Sequence, residues 1–170
     1  MSRFVAIDFE TASYNSFSAC AVAIVTMEEH VVIDRFYTLI QPPNNYYIEK
    51  FCQLHGIYPS DTLNAPTFED VAGDILTRLQ DEVIVAHNEG FDRQVLKAAL
   101  AYYDLSASPL RLDKKWECTV KLYRKKGLKR ANLKACCEHF NIPLNHHNAL
   151  SDAEACATLY DMHLRNFMGV

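Results

Sequence analysis

The stretch FVAIDFET, residues 4 to 11, decides the fold and carries the first chemical indication of function. Its apolar residues predict a β-strand, and neighbouring side chains of a strand point to opposite faces. Asp8 and Glu10 therefore share one face at the end of this strand. Two close carboxylates repel each other unless a divalent cation binds them through oxygen or the strand end lies in solvent. The stretch by itself leaves both possibilities open.

Length and composition are those of one globular domain, which we expect to span residues 1–170. The chain is 49% hydrophobic and 22% charged. Its six cysteines lack C-x-x-C or zinc-finger spacing, and no apolar run approaches the roughly 20 residues of a membrane span. Because the first strand follows Met1 almost at once, no signal peptide is predicted. We expect a cytoplasmic protein with reduced thiols and no membrane partner.

The charges are distributed unevenly. Residues 111–134 contain ten lysines and arginines against two acids, whereas the rest of the chain has a net charge of −12. We call residues 111–134 the basic band. It predicts either a surface that follows an anionic nucleic-acid backbone or an ordinary solvated surface.

The apolar pattern indicates strands first and then helices that alternate with one strand, which is typical of an α/β fold. Three runs rich in Val, Ile, Phe and Tyr predict an antiparallel meander, followed by a short strand: 3–10, 19–26, 31–40 and 83–86. Residues 41–45 and 104–112 predict irregular segments. Apolar periodicity and capping residues predict helices at 46–55, 68–79, 89–103, 118–126, 133–140 and 149–167.

Two further acids interrupt apolar helix faces. Asp92 lies in the first turn of the helix over 89–103, on the stripe that also carries Val95 and Leu96. Asp152 has the same position in the last helix, whereas Asp161 falls off the stripe and is expected on the surface. A first-turn acid either interacts with the helix dipole or faces a partner. The pattern of each helix alone fits both interpretations.

Four carboxylates are thus expected to point inward: Asp8, Glu10, Asp92 and Asp152. Four such groups can hold two hard divalent ions, Mg²⁺ or Mn²⁺, and two ions at one site suit the hydrolysis of a phosphodiester. The attacking water needs a base, and an imidazole accepts a proton near neutral pH. His147, five residues before Asp152, fits that role.

Three stretches resemble the motifs of the DEDDh 3′–5′ exonucleases, the family of the proofreading subunit of bacterial DNA polymerase III. They are IDFET at 7–11, AHNEGFD at 86–92 and HNALSDA at 147–153, in the family's order. His55-Gly56-Ile57 is similar to a segment between the first two motifs. The resemblance implies a ribonuclease H-like fold with a mixed central sheet flanked by helices. It also implies that the four carboxylates bind two metals and that His147, rather than its neighbour His146, is the general base.

The resemblance further implies a substrate and its contacts. We expect a 3′–5′ exonuclease that releases nucleoside 5′-monophosphates from a nucleic acid with a free 3′ end, single-stranded DNA before RNA. A DNA polymerase is the candidate protein partner, and the sequence leaves open whether the exonuclease works with one or alone. An RNA-directed exonuclease and a silent module that only binds nucleic acid or a polymerase are the alternatives. The predicted substrate contacts are Thr11, Phe9, Asn88, Lys125, Lys126 and Lys129. Ala12 departs from the Thr or Gly of many members, which leaves the pocket for the terminal nucleotide open.

Overall fold

A computed structural model of the chain describes residues 2–106 and 116–165. Part of the predicted irregular segment 104–112, and Lys114 and Lys115 of the basic band, lie outside the described residues. Within the described part of the chain, no helix is long and apolar enough to cross a membrane.

Five strands form one mixed sheet in the order β3-β2-β1-β4-β5. Strands β1, β2 and β3 are antiparallel neighbours, as the meander predicted, whereas β4 and β5 run parallel to β1. The strands are Arg3–Thr11, Ala19–Glu28, Val31–Leu39, Ile84–Ala86 and Glu117–Cys118. The two-residue β5 was not predicted, because so short a strand has no measurable alternation and the following residues favour a helix.

The described residues form seven α-helices, numbered α1 to α7. They are Glu49–His55, Pro59–Thr62, Phe68–Leu79, Glu89–Tyr102, Thr119–Lys125, Leu133–Phe140 and Ala149–Leu164. Thr67 and Asn148 cap α3 and α7 with their side chains. The first helix begins at Glu49 rather than at residue 46, since residues 43–45 form a separate 3₁₀ turn. The four-residue α2 was not predicted.

The central strand β1 is covered on both faces. Val5, Ile7 and Phe9 pack into one apolar core with α3 and α4, and Phe4 and Ala6 pack into a second core with α7. The α7 residues in that second core include alanines at 149, 153 and 157, on one line along the helix. Small side chains let α7 lie close to the strand, on the face that carries Asp8 and Glu10.

Asp161 is not the surface acid that the sequence predicted. It is only 6% exposed, because the turn between β2 and β3 packs against the C-terminal half of α7. His30 in that turn places Nδ1 2.6 Å from Asp161 Oδ1, and the Arg165 Nε lies 2.8 Å from Oδ2. An arginine just after the end of α7 and a histidine from a distant turn therefore contact the two oxygens of the buried carboxylate.

Candidate active site

Three of the four predicted carboxylates converge where the end of β1 meets the first turn of α7. One oxygen each from Asp8, Glu10 and Asp152 lie within 4.8 Å of one another. Glu10 and Asp152 are buried and Asp8 is partly buried. The strand alternation fixes Asp8 and Glu10 on the α7 face, and the helix phase turns Asp152 towards them.

Asp92, the fourth carboxylate, lies outside this group of three and is bound to the backbone of β1. Strand β4 pairs with β1 only at Val5 and Ala6. Beyond that point Asp92 Oδ1 accepts a hydrogen bond from the Phe9 N–H at 2.9 Å. Asp92 is 1% exposed. The Asp92 side chain thus binds a β1 N–H that lies beyond the end of β4. This bond keeps the Asp92 carboxylate close enough to Asp8 to repel it.

Burial, together with repulsion from neighbouring carboxylates, raises the pKa values of Asp8, Glu10 and Asp92. Burial, followed by repulsion from Asp92, Glu10 and Asp152, raises the pKa of Asp8 well above its ordinary value. Burial is also the largest cause for Glu10 and Asp92, and it raises the pKa of each to about 8. Such an all-oxygen cluster is poorly compensated by the protein and fits hard divalent cations, which neutralise it. The residues present therefore fit a divalent metal centre.

Two histidines in the loop before α7 are within hydrogen-bond distance of the Asp152 carboxylate. His146 Nδ1 lies 3.0 Å from Asp152 Oδ2 and 3.3 Å from Oδ1, and the His147 backbone N–H donates to Oδ2 at 3.1 Å. Burial raises the pKa of Asp152, and the charge and hydrogen bonds of His146 and His147 oppose that shift. Adjacent histidines are visible in the sequence, but the contact of His146 with the carboxylate was not predicted.

His147 is partly exposed beside this carboxylate. Its backbone has a φ of 66°, in the left-handed region, and its ring stacks on that of His146 with centroids 3.9 Å apart. Burial and then the charge of His146 lower its pKa. A lowered pKa keeps the imidazole neutral near pH 7, the state in which it accepts a proton.

His55 fixes the end of β1 from outside the cluster. Its Nδ1 accepts a hydrogen bond from the Ile57 N–H at 3.0 Å, so its Nε2 carries the proton and donates to the Thr11 carbonyl at 3.2 Å. The similarity of His55-Gly56-Ile57 to a family segment thus corresponds to a contact one residue beyond Glu10.

The predicted substrate contacts lie in different surroundings. Thr11 is 6% exposed, at a bulge that follows Glu10. The Phe9 ring is buried in the core on the face opposite Asp8, so Phe9 contributes its N–H to the site and the structure does not support a contact by its ring. Asn88 is exposed, has a left-handed backbone (φ 71°), and leaves the N-terminus of α4 without a side-chain cap. Contacts of Thr11 and Asn88 with substrate stay predictions.

The basic band does not converge on the carboxylates as one unit. Lys121 lies 2.6 Å from Oε1 of the buried Glu89, whose neighbouring residue is Asn88. Lys125 and Lys126 instead lie near His163, whose pKa they lower together with burial. His163 is eleven residues along α7 from Asp152, about 16 Å at the rise of a helix. The exposed Lys129 borders a separate depression beside α6. The sequence did not single out the Glu89–Lys121 pair.

An open depression of about 620 Å³ adjoins the site at His146. Its lining includes Lys134 and Cys137 from α6 and Leu144 from the following loop. Its size is that of many small-molecule sites, and one cation lies at its border. Glu138 of α6 also lines it, so the depression has one acidic and one basic side chain at its border.

Comparison with known proteins places this arrangement among nucleases. A family model described as exonuclease matches residues 5–160. DNA polymerase III subunit epsilon of Aquifex aeolicus is 31% identical over 163 residues, which are 92% of this chain and 78% of that protein. DNA polymerase III PolC-type of Caldanaerobacter subterraneus subsp. tengcongensis is also 31% identical, but the match covers 93% of this chain and 11% of that much longer protein.

Solved structures confirm the ribonuclease H-like fold. Exonuclease X in complex with 5′ overhanging duplex DNA superposes with a TM-score of 0.73 at 21% identity, covering 98% of this chain and 95% of that one. The nuclease domain of 3′hExo, a DEDDh family member bound to rAMP, gives 0.80 at 18% identity, covering 96% and 92%.

Proposed function

We propose that the chain hydrolyses the 3′-terminal phosphodiester bond of DNA with two divalent ions and releases nucleoside 5′-monophosphates. The proposal starts from two findings: the chain belongs to the exonuclease family, and it acts as a 3′–5′ exonuclease on nucleic acid. The observation that carries this proposal is the convergence of Asp8, Glu10 and Asp152 beside the His147 ring. Carboxylates from a strand and a helix meet there, next to His146, which is exposed, and His147, which is partly exposed.

The proposed ions are Mg²⁺, with Mn²⁺ as a substitute, held by Asp8, Glu10, Asp92 and Asp152. Such ions supply Lewis-acid activation of water and neutralise the charge that develops on the phosphate. The support is the all-oxygen donor set and the raised pKa values of Glu10 and Asp92. Asp92 would keep Oδ1 on the Phe9 N–H and offer its other oxygen.

In this proposal His147 takes the proton of the attacking water. Its lowered pKa favours the neutral imidazole, and its backbone N–H on Asp152 fixes the loop that carries the ring. A positioned base of this kind typically contributes ~10²–10⁴-fold to the rate. His55 orients the end of β1 through the Thr11 carbonyl, so that Glu10 keeps its direction.

DNA is the favoured substrate because both relatives described above are DNA polymerase III proteins and exonuclease X was solved with DNA. RNA is the second candidate, since the 3′hExo neighbour holds rAMP. We propose a single-stranded 3′ end, a DNA polymerase partner and action in the cytoplasm, in line with the epsilon-subunit relative.

The test is digestion of 5′-labelled DNA and RNA oligonucleotides of one sequence, single-stranded and in duplex, with the products sized over time. We expect a Mg²⁺-dependent ladder that shortens from the 3′ end, fastest on single-stranded DNA, together with free nucleoside 5′-monophosphates. The matched control is D8N, which keeps the side-chain shape and removes one charge. A faster RNA ladder would replace DNA as the substrate, and a ladder from D8N at the wild-type rate would contradict the metal assignment.

A further inference from the structure

The site contains a second group of ligands that the exonuclease reaction does not require as a set. One atom each from His146, His147 and Asp152 lie within 4.8 Å of one another. This group shares Asp152 with the carboxylate cluster but otherwise offers ring nitrogens. His146 is exposed and His147 partly exposed, so an ion can reach it from solvent.

The distances already resemble those between ligands of one metal ion. In a tetrahedral site with bonds of about 2.0–2.1 Å, neighbouring ligand atoms are about 3.3 Å apart. His146 Nδ1 lies 3.0 Å and 3.3 Å from the two oxygens of Asp152. An ion that replaces the proton between these atoms leaves both nearly in place, and the ring proton moves to Nε2.

The second imidazole is adjacent. The His147 ring lies over that of His146 at 3.9 Å, with 20° between the planes, so rotation of its side chain brings a nitrogen towards the same point. Two imidazoles and one carboxylate are a donor set that suits Zn²⁺, whereas Mg²⁺ prefers oxygen alone. The two overlapping groups therefore favour different ions.

We propose that His146, His147 and Asp152 form an inhibitory Zn²⁺ site. Zinc bound there occupies the base nitrogen and a carboxylate of the catalytic cluster, and so stops hydrolysis until it dissociates. This inference deepens the proposed function and rests on the roles of His147 and Asp152 in it.

Zinc binding is measured first, without activity. Metal-free protein is titrated with zinc chloride in competition with a chromogenic zinc chelator. We expect one site in wild type, at least ten-fold weaker binding in H146A, and binding within about threefold of wild type in E10Q, which removes a ligand of the carboxylate cluster only. H139A, which removes an exposed histidine of α6, is the matched control and binds like wild type. The six cysteines are all buried and compete little.

H146Q separates a lost ligand from a lost hydrogen bond. Its amide can still donate to Asp152 but offers no imidazole, so we expect zinc binding as weak as in H146A. Wild-type zinc affinity in H146A and H146Q would overturn the inference, as would a loss in E10Q that matches the loss in H146A, because zinc would then sit on the carboxylates.

Inhibition is measured next, with each variant compared with its own zinc-free rate in Mg²⁺. We expect the zinc concentration for half-inhibition to rise at least ten-fold in H146A and to stay unchanged in H139A. Equal inhibition of both would overturn the inference while leaving the exonuclease intact. Zinc binding with the expected pattern in a protein that cleaves neither DNA nor RNA would instead overturn the proposed function and leave the zinc site standing.

Discussion

Asp92 and Asp152 have the same position in their helices, the first turn of an apolar face, and the structure uses them differently. Asp92 is bound to the backbone of β1 and is closed off from solvent. Asp152 is bound by the side chain and the backbone of two histidines in an exposed loop. The same sequence pattern thus produces one aspartate that is bound to the backbone of the sheet and one that is bound to the histidine loop before α7. Each prediction below tests that difference.

The largest expected effect is a loss of turnover, and it should be the same for both aspartates. We expect D92N and D152N each to lower Mg²⁺-dependent turnover on the order of 10³-fold, about 4 kcal/mol in the barrier, because each removes one charge from the carboxylate cluster. Initial rates on a 5′-labelled DNA oligonucleotide measure this, with E154Q as a control on the exposed side of α7. Near-normal turnover in either variant would take that aspartate out of the metal centre.

The next largest effect should distinguish the two histidines beside Asp152 by their turnover numbers. H147A removes the proposed base and should lower the turnover number by ~10²-fold, the lower end of what a positioned base contributes. H146A removes only a hydrogen bond to Asp152 and should lower it less. Rates at saturating Mg²⁺ compare the two variants. A larger loss in H146A than in H147A would transfer the role of base to His146.

Stability should distinguish the two aspartates, whereas turnover should fall equally in both variants. Compared with D92N, which also lacks the titratable carboxyl, D92A leaves the buried Phe9 N–H without an acceptor and should cost about 1–3 kcal/mol in the free energy of unfolding. D92N retains an Oδ1 acceptor and should cost less. D152A removes an acceptor from groups that are only partly buried, where water can replace it, and should cost less than D92A. Urea unfolding of the metal-free proteins measures all three, and equal costs in D92A and D152A would remove the distinction.

The pH dependence of stability should also differ. Burial raises the pKa of Asp92 to about 8, so the native state keeps a proton that the unfolded state releases near pH 4. That proton stabilises the native state less and less as pH rises from about 4 to 8. We expect the melting temperature of metal-free protein to fall over that range. D92N should flatten the fall more than D152N, whose carboxylate is offset by the neighbouring histidines; Mg²⁺ should reduce the fall in wild type.

The smallest expected effect concerns the basic band. Lys121 is held by Glu89 close to the Asp92 end of the site, whereas Lys125 and Lys126 lie near the far end of α7. If Lys121 contacts one phosphate, K121A should lower the salt slope of single-stranded DNA binding by about 0.7. Charge reversal at Lys125, Lys126 and Lys129 should change the slope only for longer oligonucleotides. An unchanged slope in every variant would make the band an ordinary solvated surface.

Much of this comparison could be predicted from the sequence. Alternation in β1 correctly separates Asp8 and Glu10 from the core residues Val5 and Ile7, and helix periodicity correctly turns Asp92 and Asp152 inward. Periodicity describes a face, however, and not the atom that a side chain meets there. The bond from Phe9 to Asp92 depends on β4 ending two residues too early to pair with it, which only the assembled sheet reveals.

Contacts between distant segments were the part that the sequence could not supply. The pairs Glu89–Lys121 and His30–Asp161 join segments whose local patterns carry no sign of the partner. Even His146–Asp152, only six residues apart, depends on the path of the loop before α7, which the sequence does not show. The assignment of one domain to residues 1–170 and the role of His147 as the base stay predictions.

The left-handed backbone at Asn88 has a consequence for how this protein can vary. At a φ of 71° the chain turns sharply from β4 into α4, and a β-branched residue at that position would be strained whatever its polarity. Glycine, aspartate and asparagine are the residues that adopt this conformation most readily. Evolution can therefore exchange the chemistry of position 88 only within that small set. N88G and N88D are therefore the substitutions that test a substrate contact at this position. In N88V, a loss of activity would reflect the strained turn and not the lost contact with the nucleotide.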